Sequence, residues 1–457
     1  MEATHTLSLI GDSDQPKSIQ TIGEEQAQNP YTELLVLKGH HDIVRFLVAI
    51  DDYRFASAGD DGIVCLWNVQ TGEKLFELHA HTQKITALAA FPLSDSCEEK
   101  CHMILTASAD RTIVWDCDNG RQIHRVSCFH STVKCLTVLQ RMEVWLSAGS
   151  DLCVWNRKLD LLCKTSHLTD ADISAMIELP KTCVAAAVGK ELVILKLKAS
   201  RDGTEWDVSE IRRLLDHQDN IVSLVSVSDL IFASGSHAGE MIVWNSLDWT
   251  MRAYERNWDA SLHVNPQQEI KLSQSQNEMS IQDLTCDDEC VFAAVGKGIY
   301  VYNLQMKRVI AFQKTAHDST VLHITYVPNR KLISCSEDGS VRMWELRERQ
   351  HLTAEPVPSG FFNIWGFGRT SKQANHTAKK APECATIFSL DLTGDLIGHS
   401  AAVQMFLYFG EHGLATCSAD HLIILWKDGE RESRLRSLIL FHKLEQIEDL
   451  HLRPEMK

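Results

Sequence analysis

The sequence predicts an all-β chain: eight copies of a four-stranded antiparallel unit set as blades around one ring, followed by a C-terminal amphipathic helix. Three observations predict it. A His-to-Trp interval of 27 residues recurs from His40 to Trp67, His217 to Trp244, His317 to Trp344 and His399 to Trp426. Within these units the apolar residues form short period-two runs bounded by small-residue turns, which is the pattern of strands. Asp61-Gly62 and Asp338-Gly339 lie between such runs, where glycine accepts the positive φ of a tight hairpin. A lone four-stranded unit cannot bury both faces, so the units must stack on one another.

Taken in order, residues 1–30 are polar and weakly patterned and are expected to form a flexible segment. Glu33 to Lys38 reads as a strand that precedes the first complete unit. A ring in register with its repeats would leave an open edge, so this strand is expected to complete the last blade and lock the ring. The first unit reads LKGHHDIV from Leu37, FASAGDDG from Phe55, VCLWN ending at Asn68 and GEKLFEL from Gly72. The second contains His81, Thr106, Asp110 and Trp115, with a hairpin one residue shorter than the first and an acidic insertion from Ser94 to Lys100. In the third, Phe129 stands where His is expected, His130 is one place late, and Asp151 to Trp155 is two residues short. The fourth (Val184 to Leu195) and sixth (Val291 to Tyr302) keep the strand pattern and a glycine turn, with Leu195 and Tyr302 in place of Trp. The fifth has Ala238 at the Asp position and is followed by a Gln/Asn/Ser-rich loop from Asp259 to Asn277. The seventh and eighth are complete, so the ring spans residues 31–429. Beyond it, within residues 430–457, Leu435, Leu438, Ile439, His442, Leu444, Ile447 and Leu450 follow helical spacing. A helix of about four turns is expected, lying outside the ring and either packing on it or docking a partner.

One interval is out of scale. Trp344 and Trp426 are 82 residues apart, against 40 to 58 for the other successive units. The excess places a long insertion, residues 346–388, between the third and fourth strands of the seventh blade. Connections of that length are usually functional or disordered. Inside it, GFFNIWGFGR (Gly360 to Arg369) holds Phe361, Phe362, Trp365 and Phe367, in a chain that is 7% aromatic overall. Either this cluster folds back on the ring or it is a recognition motif that enters a partner's cavity. Aromatics with Arg369 are the usual anchors of an interface, and Asn363, Gly366 and Gly368 complete the motif, its glycines allowing sharp turns, so the composition favours recognition.

Composition narrows the function classes. The net charge of −16 argues against binding nucleic acid or inserting directly into an anionic membrane surface, because phosphate would repel the chain and no basic patch intervenes. The 14 cysteines are spread along the chain and mostly lie in apolar runs, as Cys65, Cys135, Cys153, Cys183 and Cys335 do, so buried thiols are expected. Cys97/Cys101 and Cys286/Cys290 bracket mainly acidic residues without a second pair at zinc spacing, so no metal is expected. No basic segment followed by an apolar core opens the chain, and Leu396 to Gly410, the longest uncharged apolar stretch, is too short to span a bilayer. Ser-His-Asp sets recur, but a hydrolase needs one exposed nucleophile, whereas copies at repeat spacing imply a structural role. No catalytic residue and no cofactor is expected.

These units resemble the WD-repeat β-propeller family over about Tyr31 to Lys427, which makes the chain a single eight-bladed propeller. The resemblance implies hydrogen-bonded tetrads of His40, Ser57, Asp61 and Trp67; His81, Thr106, Asp110 and Trp115; His317, Ser334, Asp338 and Trp344; and His399, Thr416, Asp420 and Trp426. The segments TIGEEQ and NPYTELLVLK, the eight-unit layout and GFFNIWGFGR resemble one branch of that family more specifically. That resemblance implies a non-catalytic subunit of a complex with two DENN-domain proteins, acting in autophagy and small-GTPase regulation. It further implies a cytoplasmic protein recruited to the lysosomal surface through a PQ-loop cationic amino-acid transporter, with the aromatic loop entering the transporter. The DENN partner would then dock at the ring closure, on Leu34, Val36, Leu435, Leu438, Ile439 and His442. A second reading is that of a substrate receptor for a cullin ubiquitin ligase, since Trp344-Glu345-Leu346-Arg347 approximates the Trp-Asp-x-Arg signature of such receptors.

Overall fold

The computed structural model describes residues 29–79, 81–91, 102–109, 111–126, 132–166, 171–200, 206–258, 279–350 and 386–451. They form eight four-stranded antiparallel sheets and one helix. The strands of each sheet follow chain order from the centre of the ring outward, except in the last. Blade 1 runs through Val44–Ala49, Arg54–Gly59, Ile63–Asn68 and Lys74–His79. Blade 5 runs through Ile221–Ser228, Ile231–Ser236, Met241–Asn245 and Met251–Glu255, and blade 6 through Ile281–Cys286, Cys290–Val295, Gly298–Asn303 and Arg308–Gln313. The first strand of each blade lies against the first strand of the next, and that of blade 8 (Val403–Tyr408) lies against Val44–Ala49, which closes the circle.

Burial explains why some strands alternate and others read as continuous apolar runs. The second and third strands of a blade are covered on both faces by the neighbouring blades. Cys183–Val188 and Cys290–Val295 are accordingly buried at every residue, whereas the outermost Gln122–Val126 buries only Val126. Blades 4 and 6 therefore need no Trp to hold their place. The predicted hairpin turns are present, with Gly62 at φ +73° and Gly339 at φ +85°.

Blade 8 is closed as expected. Glu33–Leu37 pairs antiparallel with Ile423–Lys427, Glu33 opposite Lys427 and Leu37 opposite Ile423, and becomes the outermost strand of that sheet. Leu37 joins an apolar cluster with Val44, Phe55 and Trp67 of blade 1 and Ala415, Ile423 and Leu425 of blade 8, so the seam is packed as well as hydrogen-bonded.

The structure corrects two expectations. The seventh-blade insertion is shorter than 346–388, because Ser340–Gln350 and Thr386–Ile397 stay paired out to Gln350 opposite Thr386. The alternating charges of Glu345, Arg347 and Arg349 hide that extension of the strand in the sequence. The C-terminal helix spans Gly429–His451, 23 residues or about six turns rather than four. Asp428 caps it, its Oδ1 accepting from the amides of Glu430 at 3.0 Å and Arg431 at 3.2 Å, and Glu430 and Glu432 in the first turn complement the helix dipole.

Candidate functional site

The His-to-Trp spacing brings four side chains together around one hydroxyl. In blade 1, His40 Nδ1–H donates to Asp61 Oδ2 at 2.9 Å, the Ser57 hydroxyl donates to His40 Nε2 at 2.7 Å, and Trp67 Nε1–H donates to Ser57 Oγ at 2.8 Å. Asp61 also accepts from the amides of His41 and Ile63, both at 3.0 Å. The carboxylate thus ties the loop before the blade to its hairpin turn. Blade 8 repeats this, with His399 2.9 Å from Asp420 Oδ2 and 2.8 Å from Thr416 Oγ1, and Trp426 2.9 Å from Thr416. In blade 7, His317 Nδ1 lies 3.2 Å from Asp338 and 3.0 Å from Ser340, while Ser334 bonds Nε2 at 2.7 Å and Trp344 at 2.9 Å. In blade 2, His81 and Trp115 each reach Thr106 at 2.9 Å, and Asp110 lies outside the described residues. Each hydroxyl is fully buried at a strand interior, where no substrate can reach it. These sets hold blades together, since satisfied buried polar groups rigidify where unsatisfied ones would cost.

Blade 5 contains a fifth tetrad whose carboxylate is absent from its expected position. Ala238 stands there, but Glu240, two residues on and fully buried, takes over. It accepts from the Gln218 amide at 2.8 Å, lies 3.4 Å from His217 Nδ1, and accepts from the Tyr254 hydroxyl at 2.9 Å. Ser234 joins His217 at 2.6 Å and Trp244 at 2.9 Å. Blade 7 shows the same geometry, for Ser340, at the same place two residues after Asp338, also faces its histidine. In blade 3, Trp155 donates to Ser147 at 2.9 Å and stacks on Trp145, ring centroids 5.0 Å apart.

The electrostatics match a structural role. Burial lowers the pKa of His217, His399 and His317, the last to about 4, against the pull of their carboxylates. Burial would raise Asp61, Asp420 and Glu240, yet the amide and side-chain hydrogen bonds outweigh it and hold all three below the usual carboxylate range. Cys65 and Cys183 are buried thiols pushed upward by desolvation, Cys65 to about 12; Cys153 and Cys335 are buried too, and Cys135 only partly. Among the described residues no group of His, Cys, Asp or Glu could hold a metal ion. No described helix is long and apolar enough to cross a membrane.

Exposed apolar residues gather at the seam. The closing strand leaves its outer edge unpaired and Leu34, Leu35 and Val36 partly exposed, Leu34 by 50%. The helix leaves the ring beside it. Arg436 makes a two-pronged ion pair with Glu33 at 2.9 Å, and the Gly429 amide donates to Thr32 Oγ1 at 3.1 Å. Its apolar residues from 435 to 441 do not pack on the blades: Leu435, Leu438, Ile439, Leu440 and Phe441 are all exposed, Leu438 and Phe441 by 64%. His442 is exposed beside them. Of the two openings left for this helix, packing on the ring is therefore excluded for residues 433–443. The residues of the aromatic motif, Phe361 to Arg369, lie outside the described residues. Arg347, the last residue of the cullin-receptor-like signature, is engaged by Glu345 at 2.8 Å and Asp391 at 3.5 Å within its own sheet.

Comparison with known proteins agrees with this architecture. The family model of the WDR41 β-propeller matches residues 10–436. The chain is 70% identical over 453 residues to human "WD repeat-containing protein 41", covering 97% of this chain and 99% of that one. It is 65% identical over 452 residues to the Mus musculus protein of the same name, covering 97% and 98%. Among solved structures, Sqt1 from Chaetomium thermophilum superposes with a TM-score of 0.61 over 88% of this chain and all of that one. The computationally designed Ika8 protein does so with 0.60 over 86% and 98%. Both are 16% identical to this chain and share the fold alone.

Proposed function

Since the chain belongs to the WD repeat-containing protein 41 family of β-propellers, a scaffold rather than an enzyme, we propose that it is the adaptor subunit of a complex with two DENN-domain proteins. On this reading the DENN partner docks on the ring closure, and the Phe361–Arg369 motif recruits the complex from the cytoplasm to the lysosomal surface through a PQ-loop cationic amino-acid transporter. The observation that carries it is the helix row Leu435, Leu438, Ile439 and Phe441, exposed on a helix that Arg436 ties to Glu33 of the unpaired edge strand, which itself exposes Leu34 and Val36. Monomers rarely expose contiguous apolar surface of this kind unless another protein covers it. The net charge of −16 adds a reason for recruitment by protein contact, because acidic lipid repels such a chain.

The test separates the two surfaces. Leu438→Asp with Ile439→Asp should abolish co-purification of the DENN-domain subunits while the unfolding transition of the propeller stays unchanged, because neither side chain touches the ring. Alanine at Phe361, Phe362 and Trp365 should leave that co-purification intact and abolish lysosomal recruitment. Retained co-purification in the first variant would sink the docking assignment, and retained recruitment in the second would sink the loop assignment.

A further inference from the structure

We propose that a cavity between blades 5 and 6 receives one apolar side chain of an acidic peptide. The cavity holds about 210 Å³ and is lined by Ile231, Val243, Ala253 and Leu304, with Arg252 and Lys307 at its rim. Its floor is continuous with the apolar cluster that joins the two blades, in which Val243 is buried and Ile231, Ala253 and Leu304 are packed at the margin. Small-molecule pockets usually exceed about 300 Å³, so a hole of this size suits a single side chain better than a cofactor.

The surroundings are those of an interface. Leu230, Met251 and Met306, each the chain neighbour of a lining residue, are exposed, and Leu247 is exposed on the turn that bonds back to Leu230. Exposed methionines adapt to varied partners. The charge selects the partner. Arg252 and Lys307 are exposed, and neither makes an ion pair among the described residues, whereas nearby Asp229 is engaged by Arg141. The charge of Arg252 acts on Asp248, which is itself bonded by the Thr250 amide and hydroxyl, without a close ion pair between the two. In a chain of net charge −16, two exposed cations beside an apolar hole, neither held in a close ion pair among the described residues, favour an anionic segment with an apolar anchor. The lining comes from the second, third and fourth strands of blade 5 and from the turn between the third and fourth strands of blade 6, at the end of the blades that carries the turns between first and second and between third and fourth strands. Those turns share one side of the ring with the blade 7 insertion and the start of the C-terminal helix.

The experiment uses the full-length protein with ¹³C-methyl methionine and three capped peptides: Glu-Asp-Leu-Asp-Glu, Glu-Asp-Ala-Asp-Glu and Lys-Lys-Leu-Lys-Lys. The leucine acidic peptide should shift the Met251 and Met306 methyl signals saturably. The alanine peptide should bind at least about tenfold more weakly, as the loss of methylene contacts in a pocket implies. The basic peptide should leave both signals in place. Arg252→Glu with Lys307→Glu should weaken the leucine peptide about tenfold, and Ala253→Leu, which fills the hole and keeps both cations, should abolish its effect. The proposal is overturned by the absence of shifts at millimolar peptide, by equal binding of the basic peptide, or by indifference to the charge reversal. It is equally overturned if the signals move with protein concentration alone, which marks a second copy, or only with anionic vesicles. None of these outcomes bears on the ring-closure surface, which is read independently.

Discussion

Glu240→Ala tests whether the displaced carboxylate of blade 5 does the work of the aspartates elsewhere. Glu240 is fully buried and accepts from the Gln218 amide at 2.8 Å, with His217 Nδ1 at 3.4 Å. Alanine removes the acceptor of the Gln218 amide and of His217 Nδ1, and also that of the Tyr254 and Ser236 hydroxyls, which can turn elsewhere; a donor left unpaired costs about 1–3 kcal/mol. The small void that remains adds to this, so about 4 kcal/mol is expected, a large share of the stability of an ordinary domain. Glu240→Gln keeps one acceptor and the shape, and should cost about 1–2 kcal/mol. The informative step is the double variant. In blade 1 Asp61 takes the ring Nδ1 and the following amide, the same pair of donors that Glu240 takes. Ala238 occupies the place of Asp61, since Gly239 after it has φ +76° as Gly62 has +73°. Ala238→Asp should therefore restore at least half the loss in the Glu240→Ala background. Urea unfolding followed by tryptophan fluorescence and circular dichroism, with an unchanged m-value, measures each step. A cost below about 1 kcal/mol for Glu240→Ala, or no recovery with Ala238→Asp, would refute the reasoning.

Three further outcomes are expected. His317 has its pKa lowered from 6.5 to about 4 in the folded chain, so the unfolded state binds its proton first; stability is whole above pH 6.5 and falls by about 3 kcal/mol as the pH drops to 4, and His317→Gln should flatten that slope in a pH series of unfolding midpoints. Gly62→Ala should destabilise by about 1–2 kcal/mol, because φ is +73° and a Cβ would lie 2.9 Å from the Gln83 carbonyl; Gly410→Asn, at φ +57° with nothing within 4 Å, should shift the thermal midpoint little. Removing residues 1–38 should cost the last blade its outer strand, seen as early amide exchange confined to residues 403–427 before the other blades open.

The ring and its closure were legible because each rests on local pattern: a fixed interval, a period of two and a strand left over at the start. The tetrads of blades 1, 7 and 8 were legible for the same reason, each carboxylate lying six residues before its Trp. Glu240 was not, because whether a side chain two residues further on can reach His217 depends on the turn that aims it. The helical stripe from Leu435 was visible, but what covers a stripe is a tertiary fact, and the ring leaves Leu435, Leu438 and Ile439 of it bare. The run from Leu346 to Gln350 looked like a loop because Arg347 and Glu348 are exposed on the outer strands, although Leu346 and its partner Leu390 are buried against blade 6.

The seam couples binding to folding. The closing strand is held by its ladder with Ile423–Lys427, by the buried Leu37 and by the Arg436 to Glu33 pair, while three of its five residues, Leu34, Leu35 and Val36, are exposed apolar groups. A partner that covers those side chains and the helix row binds only the closed ring, since opening the seam separates the two halves of its site. Linkage then requires the partner to stabilise the propeller, by about 2.7 kcal/mol at a concentration one hundred times its Kd. The same argument makes the strand the point of vulnerability. A change that loosens Glu33–Leu37 should weaken partner binding and seam stability together, whereas Leu438→Asp should weaken binding alone. If the two kinds of variant behaved alike, the strand and the helix would not form one surface.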